Sequence, residues 1–236
     1  RALAAADRAN NAVLQHHRDI WAAQGDPTEA ALIVAARKAG LEEEALDQRF
    51  DRIGEVPFSS ERKLMSTVHT DAKSSHMLRS FTKGAPDVLL GRCSHELIGE
   101  DVRPLGDGRR ADILKENEAL ADEALRTLGV AFRSFEPQGP LQAEFSPELE
   151  RDLVFLGLIG MIDPPREEAR LAVVQAKAAG IRPIMITGDH PRTAVVIAAE
   201  LGITNNQRAL TGTEIERMPD AEFRQAVREI SVYARV

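Results

Sequence analysis

The sequence predicts an α/β protein in two parts: an α+β domain with an antiparallel sheet and flanking helices, then part of a parallel α/β domain. Between Phe50 and Thr82 apolar residues recur at every second position with turn residues between the runs, which is typical of short antiparallel strands. The near-continuous apolar run from Leu153 to Ile162 is followed by a helical pattern and a second apolar stretch, as in a βαβ unit. We therefore expect domains over residues 1–162 and 163–236.

Helix signals open the first part. The alanine-rich stretch from Arg1 to Ile20 carries apolar residues at loosely helical spacing, so we expect a helix there. Asp26 is a good cap before Pro27, which suits a first helical turn, and Gly40 is a typical stop, so a second helix is expected between them. Beyond the strands the sequence predicts, in order, a short helix over Pro86–Cys93, a loop with Pro104, Gly106 and Gly108, an amphipathic helix over Asp112–Leu128 and a strand over Val130–Phe132.

The second part alternates strand and helix patterns. A helical pattern over Arg166–Ala179 is closed by Gly180, and an apolar stretch over Ile181–Thr187 follows it. Another helix begins at Pro191 and stops at Gly202. Because apolar runs that flank a helix are typical of parallel strands covered on both faces, we expect the runs from Leu153 and from Ile181 to belong to one βαβ unit.

Composition narrows the classes of function. Lys plus Arg number 30 and Asp plus Glu 37, a formal charge of −7 without long runs of either sign, which disfavours nucleic-acid binding. One cysteine, Cys93, among six scattered histidines gives no zinc spacing, so we expect no metal site and interpret these side chains as core or surface. The longest apolar run is far shorter than the roughly 20 residues of a membrane helix, so no membrane contact by this chain itself is expected. The missing initial Met suggests a piece of a longer chain.

The tripeptide Thr187-Gly188-Asp189 lies between a predicted buried strand and a predicted helix. Ligands of open α/β sheets bind at the carboxyl ends of parallel strands, where a threonine hydroxyl and free amides can hold a phosphate oxygen. A strand-to-helix turn, with glycine for tightness and Asp189 as a cap, explains the same residues without a ligand.

A second candidate site lies at the end of a predicted strand, at Lys83 and Gly84. Glycine lets another group approach the backbone closely, and a nucleotide could lie there with its phosphates near the ammonium group of Lys83. An ordinary surface lysine beside a turn is the alternative. Phe58 could offer a ring for base stacking, worth about 1–3 kcal/mol, although an isolated phenylalanine on an alternating strand is commonly core.

Each of three further polar residues has both a ligand-binding and a structural interpretation. Asp163 ends the apolar run before two prolines and could accept from a sugar hydroxyl or cap the next helix. Glu29 lies in a helical first turn, where the helix dipole favours a carboxylate whether or not a ligand binds. Arg133 directly follows a predicted strand and is either a phosphate partner or a surface charge.

Five strings, taken in their order along the chain, resemble the cytoplasmic head of P-type cation-transporting ATPases. The resemblance covers essentially the whole chain, and the residues from Val56 to Met65 and from Gly160 to Arg166 are most similar to the calcium-pump-like branch. The strings are Gly25-Asp26-Pro27-Thr28-Glu29, Pro57-Phe58-Ser59-Ser60-Glu61-Arg62-Lys63, Lys83-Gly84-Ala85-Pro86, Asp163-Pro164-Pro165-Arg166 and Thr187-Gly188-Asp189.

The resemblance implies a nucleotide-binding domain over residues 1–162, inserted into a haloacid-dehalogenase-like phosphorylation domain of which residues 163–236 are a part. It implies ATP as ligand, together with Mg²⁺ whose ligands lie mostly outside this chain. By motif matching, Phe58 stacks the adenine, Lys83 lines the adenine pocket beside Gly84, and Glu29 hydrogen-bonds near the base. Arg133 reaches the phosphates, and Asp163 contacts the ribose or the closed domain interface. The residues implied around the transferred phosphoryl group are Thr187, Gly188 and Asp189.

For the intact parent, the resemblance implies an integral membrane protein that uses ATP to transport a cation, with calcium as one candidate. This chain would be a cytoplasmic part of it, with the remaining phosphorylation, actuator and transmembrane domains as partners. The phosphorylated loop Asp-Lys-Thr-Gly-Thr-Leu-Thr is absent from these residues and is expected upstream of Arg1. The phosphate-site lysine is expected after Arg235, and Ser60 replaces a basic residue of many relatives. We therefore expect no catalytic residue in this fragment and no catalytic competence alone.

A soluble phosphatase or phosphotransferase of the haloacid-dehalogenase type, with the first part as a cap domain, is the alternative function. In that class Thr187 would be the hydroxyl of the second motif. The class requires an Asp-x-Asp nucleophile motif, and none occurs anywhere in these residues. The alternative therefore lacks its nucleophile within these residues. A third interpretation, a noncatalytic interaction domain, would be favoured only if no nucleotide bound at millimolar concentration.

Overall fold

A computed structural model describes residues 1–17, 20–74, 76–123, 125–137, 145–162, 165–189, 191–206 and 208–236. Helices flank a large mixed sheet, which confirms the predicted α/β class. Internal contacts divide the chain into two units, one formed by Arg1–Glu118 with Thr127–Met161 and the other by Ala119–Arg126 with Ile162–Val236.

Strands of the first unit form a hairpin and a seven-stranded sheet within the described residues. The hairpin is β1 (Val13–His17) and β2 (Ile20–Gln24), and the sheet contains β3 (Arg52–Ser59), β4 (Leu64–Thr70), β5 (Leu78–Gly84), β6 (Cys93–Ile98), β7 (Asp101–Pro104), β8 (Arg126–Phe135) and β9 (Leu153–Met161). The spatial order of the sheet is β3, β4, β5, β8, β9, β6, β7. The neighbours from β3 to β8 are antiparallel, and β6 and β9 are parallel.

Helices precede the sheet and connect its strands. They are α1 (Ala2–Arg8), α2 (Pro27–Lys38), α3 (Glu43–Arg49), α4 (Pro86–Arg92) and α5 (Asp107–Asp122). The helix predicted after Asp26 is confirmed, because the Asp26 carboxylate accepts hydrogen bonds from the backbone N–H groups of Thr28 and Glu29 at the start of α2. Cys93 is buried at the start of β6, and burial raises the pKa of its thiol to about 12.

The second unit contains a short parallel sheet with helices. Its strands lie in the order β10, β12, β11, and its core includes Ala194, Ala198, Val232 and Ala234. The elements are α6 (Glu167–Ala178), β10 (Met185–Thr187), α7 (Pro191–Glu200), β11 (Leu210–Thr211), α8 (Gly212–Arg217), α9 (Asp220–Glu229) and β12 (Val232–Ala234).

The single helix predicted from Arg1 to Ile20 is wrong. Helix α1 ends at Arg8, and a β-hairpin follows. Asn10 separates them: its side-chain oxygen accepts from the N–H of Ala12, and its side-chain amide donates to the carbonyl of Glu29. Such local bonds of asparagine compete with helical hydrogen bonding, so the alanine-rich pattern does not continue as a helix.

Two other predictions fail in the connections of the sheet. The loop predicted around Pro104 contains the strand pair β6 and β7, and α5 starts at Asp107 rather than at Asp112. The run from Leu153 does form a strand, but β9 lies between β8 and β6 and does not share a sheet with β10. A strand that is covered on both faces gives a continuous apolar run in a mixed sheet as well as in a parallel one, so the run does not identify its neighbours.

His69 on β4 is a buried histidine whose ring contacts two oxygens. Its Nε2 lies 3.0 Å from the hydroxyl of Thr67, and its Nδ1 lies 3.3 Å from the carbonyl oxygen of Phe50. Burial is the main cause that lowers the pKa of His69 to about 4, against the opposing effect of the Phe50 hydrogen bond. The neutral imidazole is therefore the native form.

We expect the stability of the first unit to fall between pH 6.5 and pH 4 because of His69. The unfolded histidine binds a proton below about pH 6.5, whereas the folded one does so only below about pH 4. Its contribution is thus complete above pH 6.5 and is lost progressively as the pH falls. Urea unfolding at pH 7.5 and 4.5 should show a loss roughly 2–3 kcal/mol larger in the native chain than in His69→Gln. Equal losses in both chains would contradict this assignment.

Candidate functional site

Glu29 and Lys83 form a buried ion pair, although 54 positions separate them in sequence. The ammonium Nζ of Lys83 donates to Oε1 of Glu29 at 2.7 Å, and Lys83 is only 7% exposed. Oε2 of Glu29 accepts from the N–H of Asn11 at 3.1 Å. Glu29 therefore links the first turn of helix α2 both to the end of β5 and to the segment before β1. The interpretation of Lys83 as a surface lysine is wrong.

The charge of Lys83 depends on its partner. Burial is the largest influence and lowers the pKa of Lys83, while the hydrogen bond that Lys83 donates to Glu29 and the negative charges of Glu29 and Asp26 oppose this effect. A buried ammonium without such a partner is costly. The lysine is therefore held in a fixed position and already has a carboxylate partner in the ligand-free chain.

Gly84 permits a close approach of the β3–β4 turn. A Cβ atom at Gly84 would lie 2.2 Å from the carbonyl oxygen of Lys63 and 2.7 Å from Cδ2 of Leu64. That same carbonyl accepts from the N–H of Ala85 at 3.1 Å. The close neighbour that glycine was expected to admit is thus, in this structure, a turn of the same chain.

Phe58 lies on β3 with 61% of its surface exposed, so the interpretation of this ring as core is wrong. The β3–β4 pairing shifts register between Val56 and Ser59, which is a local irregularity of the kind that redirects a side chain. Ser59 pairs with Leu64, and the next residue, Met65, pairs with Lys83. Phe58 and the Glu29–Lys83 pair therefore belong to the same end of the sheet.

Arg133 is not brought to the Glu29–Lys83 pair. It lies on β8 opposite Ser80, whereas Lys83 lies opposite Val130. Side chains alternate between the faces of a strand, and Ser80 and Lys83 are three positions apart, so Arg133 and Lys83 are on opposite faces of the sheet. The guanidinium group of Arg133 lies 5.9 Å from the ring centre of Phe135.

The tripeptide of the second unit forms a compact turn after β10. The Thr187 hydroxyl donates to the Asp189 carboxylate at 2.8 Å and accepts from the N–H of Asp189 at 3.1 Å. A Cβ atom at Gly188 would meet no described atom within 4 Å, so tight packing does not require glycine there. Asp163, the remaining candidate, lies outside the described residues.

Sequence reasoning missed the pairing of Arg62 with Glu150. The sequence marks Arg62 only as a member of the string that contains Phe58, and its carboxylate partner lies 88 positions further along the chain. No local pattern marks Glu150, because it is one of several charged residues that lie in and after the short 3₁₀ helix Pro147–Leu149. The signal is the burial of the Glu150 carboxylate beside the partly buried Arg62, and it exists only in the folded chain.

The described residues offer an accessible ring and a fixed ammonium–carboxylate pair, which suit an aromatic base with polar edges. They do not suit a resident divalent cation, because no group of three or more potential ligand side chains occurs among the residues described. No step of the chemistry is therefore assigned to Mg²⁺ here. Among those residues, too, no helix is long and apolar enough to cross a membrane.

Helices around a large mixed sheet, with an exposed ring and an ammonium–carboxylate pair at one end of that sheet, define a mixed α/β domain. The family described as P-type ATPase, cytoplasmic domain N, matches residues 1–168. The chain belongs to this family of P-type cation ATPases, and the resemblance seen in the sequence is confirmed. The soluble phosphatase alternative is not favoured.

Related transporters have the same region within much longer chains. Calcium-transporting ATPase 1 of Bacillus cereus is 42% identical over 213 residues, which cover 90% of this chain and 23% of that protein. A calcium-transporting ATPase of Listeria monocytogenes is 40% identical over 90% of this chain and 24% of its own length. A cation-transporting ATPase of Synechocystis is 38% identical over 96% and 24%, respectively. The chain thus spans about a quarter of the length of these relatives.

Proposed function

We propose that this chain binds ATP as a cytoplasmic part of a P-type cation pump, with Phe58 stacked on the adenine. The observation that carries the proposal is the largely exposed Phe58 ring at the same sheet end as the buried Glu29–Lys83 pair. Base stacking on an aromatic ring supplies about 1–3 kcal/mol without any need for phosphate contacts. Lys83, Gly84 and Glu29 then form the inner boundary of the adenine pocket.

For the second unit we propose a part of the phosphorylation domain, with the domain boundary between residues 162 and 163. Thr187, Gly188 and Asp189 would surround the transferred phosphoryl group, and Asp163 would contact the ribose or the domain interface. The open space around the Cβ position of Gly188 supports this role, because a phosphate oxygen can approach a glycine backbone there. Arg133 would reach the phosphates from the opposite face of the sheet only if the nucleotide extends past the sheet edge.

The parent protein, in this proposal, hydrolyses ATP with Mg²⁺ and moves a cation across a membrane. The names of the relatives favour calcium or another cation as cargo. Its actuator, transmembrane and remaining phosphorylation domains would be the partners of this chain, on the cytoplasmic side.

Replacing Phe58 with Ala should weaken adenine-nucleotide binding about 5- to 150-fold, the equivalent of the stacking energy of roughly 1–3 kcal/mol. Isothermal titration with AMP, ADP and ATP measures the loss, and the three affinities in the native chain should agree within about tenfold. The melting temperature should stay nearly unchanged because the ring is exposed. Trp21→Ala is the matched control, since it removes another exposed ring, 66% accessible, on the β1–β2 hairpin. A strong drop in melting temperature with intact binding would disprove the stacking role.

The isolated chain should form no acid-stable phosphoenzyme from γ-labelled ATP and magnesium. A covalent intermediate needs a carboxylate aligned with the γ-phosphate, and neither Asp163 nor Asp189 is followed by Lys-Thr-Gly. Asp189 already accepts from the Thr187 hydroxyl, as expected for an orienting group. Acid precipitation and counting test this, with Asp163→Asn and Asp189→Asn as controls. Retained label that disappears in either variant would instead support a complete phosphotransferase.

A further inference from the structure

We infer that Arg62 and Glu150 are positioning residues for nucleotide binding, because together they hold the backbone on which Phe58 stands. The inference rests on the proposed stacking role of Phe58. It concerns neither a contact with the nucleotide nor a catalytic step. What the two side chains contribute is a ring that is already in place before the base arrives.

Arg62 bridges the strand that carries Phe58 and the body of the unit. One terminal nitrogen of its guanidinium group donates to Oε2 of Glu150 at 2.5 Å, and the other donates to the carbonyl oxygen of Pro57 at 2.5 Å. That carbonyl belongs to the peptide group that joins Pro57 to Phe58. The guanidinium group therefore restrains the peptide plane directly before the exposed ring.

Glu150 makes this restraint rigid because its carboxylate is buried and fully engaged. The residue is 2% exposed, and its Oε1 accepts from the hydroxyl of Ser66 at 3.0 Å. Ser66 in turn shares a hydrogen bond of 2.9 Å with Thr82 on the neighbouring strand, and both hydroxyl residues are buried. The chain of contacts thus runs from the interior of β4 and β5 to the peptide of Phe58.

The far side of the turn is fixed as well. The N–H of Lys63 donates to the carbonyl of Ser59 at 2.6 Å, and the carbonyl of Lys63 accepts from Ala85 at 3.1 Å. Phe58 is therefore a solvent-exposed ring on a backbone that is held at both ends. Ordering a free aromatic loop on binding would cost roughly 0.5–1.5 kcal/mol per immobilised side chain, which corresponds to about a 2- to 12-fold loss of affinity.

A direct contact of Arg62 with the nucleotide phosphates is the competing explanation. Both terminal nitrogens of the guanidinium group already have protein acceptors, which favours the positioning role. The two explanations differ in a measurable way. A phosphate contact matters more for ATP than for AMP, whereas a positioning effect acts through the adenine ring and is equal for both.

The test is a double-mutant cycle between this pair and Phe58 in the full chain, measured by isothermal titration with AMP and ATP. Removing Arg62 alone leaves a buried carboxylate without its partner, so Arg62→Gln is combined with Glu150→Gln to keep the site neutral. The second variant is Arg62→Lys, which keeps a positive charge beside Glu150 and can therefore be tested if the double variant does not fold. We expect the double variant to bind AMP and ATP equally, about 3- to 10-fold more weakly than the native chain. In the Phe58→Ala background the same change should alter affinity less than twofold.

Backbone ¹⁵N relaxation in the absence of ligand measures the local order of the Phe58 amide, which would not change specifically if the pair only stabilised the fold. The order parameter of the Phe58 amide should fall in Arg62→Lys and in the double variant, while those of β4 and β5 stay unchanged. Three results would overturn the inference. The first is unchanged AMP affinity in variants that keep the native spectrum, and the second is a loss of affinity for ATP alone. The third is an equal loss of affinity in the Phe58→Ala background. If the native chain binds no AMP at millimolar concentration, the proposed function itself fails. Unfolding of both Arg62 variants would show that the pair is needed for the fold rather than for positioning.

Discussion

Gly84→Ala should destabilise the first unit by roughly 3 kcal/mol or more, or prevent it from folding. A methyl group there would lie 2.2 Å from the carbonyl oxygen of Lys63, far inside van der Waals contact. The nearest atom belongs to the backbone of a turn that is itself hydrogen-bonded to Ala85, so the clash has no flexible side chain to move aside. Relief requires separation of β5 from the β3–β4 turn. Urea unfolding followed by circular dichroism measures the change.

Gly91→Ala is the matched control for this prediction. Gly91 lies in α4, and a Cβ atom there would meet no described atom within 4 Å. An alanine in a helix is favoured over glycine by up to about 1 kcal/mol, so this variant should be neutral or slightly more stable. If Gly84→Ala were as stable as Gly91→Ala, the close approach of the turn at Lys63 would be wrong. AMP binding by a folded Gly84→Ala chain would also show that the turn tolerates displacement.

The elements that could be predicted from the sequence are those whose signals are local. Helix α2 follows from Asp26 and Pro27, whose chemistry acts within one helical turn. Strands β3, β4 and β5 follow from two-residue alternation, which needs no knowledge of their neighbours. The hairpin of β1 and β2 was missed because Asn10 ends α1 through a bond to the carbonyl of Glu29, a residue 19 positions away.

The candidate site divides in the same way. The sequence identifies Phe58, Lys83 and Glu29 as candidates because they lie in motifs that resemble one family. The order of these motifs along the chain does not give the distances between their side chains. The 2.7 Å contact of Lys83 with Glu29 depends on the packing of α2 against the end of β5, which only the folded chain provides. The opposite facing of Arg133 depends on the register of β8, which a one-residue shift would reverse.

Glu29→Gln should cost roughly 3–5 kcal/mol of stability at pH 7, because it leaves a buried ammonium group without the carboxylate to which it is hydrogen-bonded. Lys83→Met should cost less, since the Glu29 side chain is more exposed and keeps its bond from the N–H of Asn11. The double variant Glu29→Gln, Lys83→Met contains no buried charge at this point. It should recover much of the stability lost in Glu29→Gln, and the difference measures the coupling of the pair.

The pH dependence of the Glu29→Gln variant distinguishes an ion pair from simple packing. Burial lowers the pKa of Lys83, and Glu29 is the main influence that raises it again, so removal of Glu29 should lower this pKa further. The unfolded lysine, with a pKa near 10.4, then binds more protons than the folded one, and stability rises with pH in that range. The deficit of Glu29→Gln relative to the native chain should therefore shrink between pH 7 and pH 9.5, while that of Lys83→Met should not. Urea unfolding at both pH values measures this, and a constant deficit would mean that Glu29 acts through its shape and not through its charge.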